Sequence, residues 1–103
     1  MSDITIRRSH TLGLERARRI ENAWVRNVTQ KLDMSCSTIT GLDKDVVSFE
    51  RMGVRGEMEI APDYIEVRAT LTMLLAPLKE QIAKGVQQQL EVSINKEMNR
   101  AEA

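Results

Sequence analysis

The chain has 103 residues, equal numbers of basic and acidic side chains (15 Lys/Arg, 15 Asp/Glu), six Met, and one each of Trp, Tyr, Phe, His and Cys. That length makes one domain, 1–98 with a tail at 99–103 expected to fray. Its core is built from aliphatic and Met side chains. Zero net charge argues against a dedicated nucleic-acid binder, the single Cys36 excludes an intramolecular disulfide and a Cys-only metal site, and the absence of a signal-like or bilayer-spanning apolar run points to the cytoplasm.

Ile4 and Ile6 alternate with polar neighbours, the mark of a short half-buried strand. After a break at residues 10–13 a helix is predicted, with Leu14, Ala17, Ile20, Trp24, Val25, Val28 and Leu32 on one arc and Arg16, Arg19 and Arg26 opposite. Glu21 falls inside the apolar arc. A buried carboxylate needs a partner or a raised pKa, and the breadth of the arc leads us to expect Glu21 to reach water from its edge, towards Arg18.

Residues 35–40 form a β-branched, Ser/Thr-rich strand, and residues 41–44 a turn. Asp45 to Arg51 alternates with Val47 and Phe49 on one face, and Met52-Gly53 makes a hairpin connection. Val54, Gly56, Met58 and Ile60 share a face of the next strand, Gly56 marking a close approach. Beyond a turn at Pro62, Ile65, Val67, Ala69, Leu71 and Met73 are expected to point inward. The Arg and Glu on the outward face read as cross-strand charge pairs. Pro77 suits the first turn of a second helix, whose stripe runs Leu78, Ile82, Val86 and Leu90, with Gly85 beside it for close backbone packing. Continued steps of four drift by 40° per repeat, so Ile94 and Met98 are expected to leave the core-facing line. The fold class is therefore α+β: a two-layer sandwich of a four- to five-stranded antiparallel sheet with two helices on one face, in the order β-α-β-β-β-β-α.

No nucleophile, base and orienting group fall into a recognisable pattern. His10 is expected to bond the backbone of its turn, and the residues offer no cofactor or metal constellation. An enzyme acting through Glu21 or His10 is the weakest reading. Residues 1–32 hold seven basic residues against three acidic ones, and the rest eight against twelve. Arg7, Arg8, Arg16, Arg19 and Arg26, with Ile94 and Met98, are thus the candidate interaction surface.

The segments DITIRRSHTLGLERAR, GLDKDVVSFERMGVRGEMEI and LLAPLKEQI, in that order, resemble the polyhydroxyalkanoic acid system family of small bacterial proteins. The sharpest matches are Phe49, Arg51, Gly53, Val54 and Gly56, with Pro77, Leu78 and Lys79. Arg51, Gly56 and Lys79 are those that folding explains least. The Ser/Thr-rich stretch at 34–40 departs from the family pattern. The resemblance implies an accessory protein of polyhydroxyalkanoate storage, bound to the granule or to a granule protein, and supplies no catalytic residue. The alternative is a domain binding an acyl or phosphate-bearing ligand. One outer strand must be an edge, open to pairing in a homodimer.

Overall fold

A computed structural model describes residues 2–100; the end of the predicted tail, 101–103, lies outside them. The elements run β1 (Ser2–Ser9), α1 (Leu14–Lys31), β2 (Ser35–Thr40), β3 (Asp45–Arg51), β4 (Val54–Ile60), β5 (Tyr64–Leu71) and α2 (Lys79–Met98). All neighbouring strands are antiparallel and the sheet order is β1-β5-β4-β3-β2. This is the predicted α+β architecture and element order.

Alternation explains the sheet. Ile4 and Ile6, Val47 and Phe49, Met58 and Ile60, and Ile65 to Leu71 at every second residue are buried. Against them α1 sets Ala17, Ile20, Trp24 and Val28, and α2 sets Leu90 and Ile94. Trp24 meets Phe49 edge-on, ring centroids 5.2 Å apart, a favoured aromatic geometry.

Gly56 faces inward between Phe49 and Ala69 in the pairing register. A Cβ there would lie 2.2 Å from the Arg68 carbonyl oxygen and 2.7 Å from the Phe49 ring. The close approach expected at this position is therefore that of Phe49 and the β5 backbone. On the opposite face Arg7 stands across from Glu66, Arg68 from Glu57, and Arg55 from Glu50, and each pair is bridged, at 3.3, 3.4 and 3.5 Å. These are the cross-strand charge pairs read from the sequence.

Four expectations are corrected. Met73 does not point inward: β5 ends at Leu71, and the N–H groups of Leu75 and Ala76 both bond the Thr72 carbonyl, so the chain turns away and leaves Met73 exposed. Pro77 lies in a 3-10 turn, Ala76–Leu78, just ahead of α2, and Leu78 there is exposed rather than on the core stripe. Gly85 faces open space: a Cβ placed there would meet nothing within 4 Å. Ile94 is buried. The drift of the α2 stripe turns its last turns towards α1, whose Arg16 and Arg19 engage Glu97. Among the described residues no helix is long and apolar enough to cross a membrane.

Candidate functional site

Three ionisable side chains meet where α1 crosses the start of β3. Glu21 comes from the sheet-facing side of α1. Asp45 opens β3 on the inward-facing phase shared by Val47 and Phe49, and both acids are buried. Arg18, one turn before Glu21, reaches down and donates through Nε and Nη2 to the two Asp45 oxygens, at 2.8 and 2.9 Å. It also donates to the Gly41 carbonyl at 2.8 Å, while the Gly41 N–H donates to Asp45 at 3.2 Å. Asp45 thus has a two-pronged cation and a backbone donor, and Arg18 foremost holds its carboxyl down to about 2 against the opposing effect of burial.

Glu21 shows the reverse. Burial pushes its pKa up to about 8, and the hydrogen bond and charge of Asp45 push the same way; Arg18 only partly opposes them. At neutral pH Glu21 is a carboxylic acid donating to the Asp45 carboxylate. Its Oε1 is buried with no hydrogen-bond partner. The expectation that Glu21 reaches water fails because the arc is centred closer to it than its edge, and Asp45 supplies an acceptor inside the fold. The cluster floors an open groove of about 570 Å³ between α1 and β2, walled by Val25, Thr29, Thr38 and Thr40. Chemically it stores one proton and ties α1 to β3.

Sequence reasoning flagged Glu21 and named Arg18 but missed Asp45. The available signal was its phase, two residues before Val47. The 24-residue separation from Glu21 hid their meeting.

His10 is buried at the β1–α1 junction, its Nδ1 accepting the Leu12 N–H at 3.1 Å as expected. Burial lowers its pKa, against the opposing pull of the Tyr64 and Ala61 carbonyls and Asp63. The ring is therefore neutral, with its proton on Nε2. Among the described residues no group of three or more His, Cys, Asp or Glu could hold a metal ion.

The arginines of the expected interaction surface lie in two places. Arg7 pairs with Glu66 and lies 3.8 Å above the Tyr64 ring, and Arg8 pairs with Glu91 at 3.2 Å. Arg16 and Arg19 both engage Glu97, at 3.6 and 3.0 Å, joined there by Arg100. Burial would raise the Glu97 pKa, but Arg19 and Arg100 bring it below the ordinary carboxylate value. Arg26 and Met98 are exposed on the helix layer, and Ile94 is in the core.

Of the signature residues, Phe49 and Val54 are core, Gly53 takes the positive φ of 96° that its hairpin needs, and Arg51 donates to the Leu32 carbonyl at 2.9 Å, closing the end of α1. Nothing in the structure explains Lys79, which is exposed.

Sequence reasoning also missed an apolar end of the molecule. The bond from Arg51 to Leu32, and that from the Thr72 N–H to the Gly53 carbonyl at 3.0 Å, draw the end of α1, the β3–β4 turn and the segment after β5 together. They leave Leu32 46%, Met52 80%, Leu74 63% and Met73 86% exposed. Leu74 and Leu75 lie against Gly53.

Comparison with curated proteins and with solved structures gives no match. The sequence does match, over residues 4–94, the family described as polyhydroxyalkanoic acid system proteins. That span takes in both helices' core stripes, β2 to β5 with most of β1, and the Glu21–Asp45–Arg18 cluster, and on it the chain belongs to the polyhydroxyalkanoic acid system protein family.

Proposed function

We propose that this is a cytoplasmic, non-enzymatic accessory protein of polyhydroxyalkanoate storage that acts by contact with the granule surface. One observation supports this above others: four large apolar side chains, Leu32, Met52, Met73 and Leu74, stand exposed at one end of the fold. They come from three segments that the fold brings to one end; apolar side chains grouped on the surface of a small protein point to a contact surface, and methionine adapts to an irregular one. A polyester inclusion offers a surface of that chemistry, and membership of a polyhydroxyalkanoic acid system family supports looking for the contact there.

Binding fits the residues better than catalysis. Asp45 in the floor of the groove is already held by Arg18 and the Gly41 N–H, and the His10 ring is buried with Nδ1 already occupied. Arg7, Arg8, Arg16 and Arg19 spend their charge largely on Glu66, Glu91 and Glu97. The contact is therefore apolar first, with Arg26 and Met98 as exposed positions on the helix layer.

Co-sedimentation with isolated granules tests the reading. The purified protein is expected in the granule pellet, and to stay there when salt is raised to about 0.5 M, because apolar contact is not screened. A protein left wholly in the supernatant contradicts it. Saturable binding of a soluble acyl ligand, with a matching rise in thermal stability, would favour a ligand-binding domain instead.

A further inference from the structure

We propose that two copies of this chain pair through β2, joining their sheets into one across a two-fold axis at Thr38. The two edges of the sheet differ. Along β1 runs α2, strapped to it by Arg8 and Glu91, and the strand bears Asp3, Arg7 and Arg8. By contrast β2, SCSTIT, holds no charge and no proline, and its register with β3 is unbroken by a bulge. All its residues but Cys36 are exposed, Ile39 at 70%. Lone edges are ordinarily blunted by charge, proline, a bulge or a cover, and this one has none of them.

The backbone phase gives the pairing. The Thr72 N–H bonds the Gly53 carbonyl, so in β4 the residues in phase with Gly53 bond β5 and those in phase with Val54 bond β3. Carried through the registers of β3 and β2, this alternation turns Ser35, Ser37 and Ile39 towards β3. The N–H and C=O groups of Cys36, Thr38 and Thr40 then point to the free edge. A two-fold axis perpendicular to the sheet keeps both helix layers on one side, which requires residues of the same face to oppose one another. Thr38 opposite its own copy, with Cys36 opposite Thr40, meets that condition and uses all three outward-facing residues.

A symmetric interface must tolerate itself. Since β2 is uncharged, self-pairing opposes no like charges, and zero net charge removes overall repulsion. There is also room on the helix side. Helix α1 touches both β2 and β4, hence lies across β3. Three strand spacings of about 4.8 Å would separate β3 from its copy. That is roughly 14 Å between the two α1 helices, against about 8–10 Å for helices in contact. The open groove beside Thr38 and Thr40 becomes a channel shared by the two copies, and the strand that a single copy leaves bare is covered.

Sedimentation velocity over a wide dilution series, with Thr38→Lys, Thr38→Glu and their equimolar mixture, tests the proposal. The wild type is expected to pass from dimer to monomer on dilution. Each variant, with its circular dichroism unchanged, should associate at least tenfold more weakly, because like charges then meet on the axis. The mixture should recover the dimer, since the introduced ammonium of one copy then faces the introduced carboxylate of the other. A wild type that stays monomeric at the highest concentration overturns the proposal. So does a dimer indifferent to Thr38→Lys, or a mixture that fails to associate.

Discussion

At neutral pH Glu21 keeps its proton in the folded protein and loses it in the unfolded one, and this difference is a stability term. Its folded pKa is raised to about 8 from an ordinary 4.5, so its contribution is fully present below pH 4.5 and is lost as pH rises through 8. Asp45 runs the other way: held down to about 2 from 3.8, it stabilises above pH 3.8 and ceases to do so as pH falls through 2. His10, whose pKa is lowered by burial, also favours the folded state at higher pH, so the wild-type profile is a sum of opposing parts. Glu21→Gln isolates one part. The amide still donates to Asp45 but cannot ionise. The variant should match the wild type near pH 4.5, gain on it steadily to pH 8, and be more stable by on the order of 4 kcal/mol at pH 9. Thermal unfolding across that range checks this; parallel profiles for the two proteins would mean that Glu21 is ionised in the folded state.

At the scale of elements, two glycines separate packing from propensity. Gly56→Ala forces a methyl group against the β5 backbone, which cannot yield as a side-chain tip does. We expect a loss of about 3 kcal/mol, the upper part of the overpacking range. Gly85→Ala puts a methyl group into open space on the exposed face of α2, and should stabilise by up to about 1 kcal/mol. Chemical denaturation of both variants decides the matter, and a destabilising Gly85→Ala would show that something packs there after all. These glycines also show how far the sequence was legible. Alternation identified the inward residues of β3, β4 and most of β5, and Gly56 stood out because it occupied a core phase without a side chain. Gly85 looked the same beside its stripe, but helical periodicity does not say how tightly a helix end is pressed on its neighbours. Met73 obeyed the alternation yet lay past the last ladder bond, since period alone carries no stop signal. Glu21 was visible as an acid in an apolar arc, whereas its partner Asp45 required knowing that α1 crosses the start of β3. The apolar end escaped because Leu32, Met52 and Leu74 come from three segments that only the folded chain brings together.

The whole molecule is elongated, 46 × 24 × 22 Å, with chemistry divided between its parts. The sheet's outer face is laced with paired charges, the helix layer hides an acid pair, one edge strand is bare, and one end is apolar. The proposed granule contact is assigned to that end, and the double variant Met73→Glu, Leu74→Glu puts it to the test beside the wild type. Both side chains are exposed, so folding should be unaffected, while burying either one fully against a granule would contribute about 1.5–3 kcal/mol. Even half of that for the pair is about a tenfold or greater change in affinity. Measured by co-sedimentation with isolated granules, the wild type should be found in the pellet and the double variant, with unchanged thermal stability, in the supernatant. Equal partitioning of the two proteins would contradict granule contact through the apolar end.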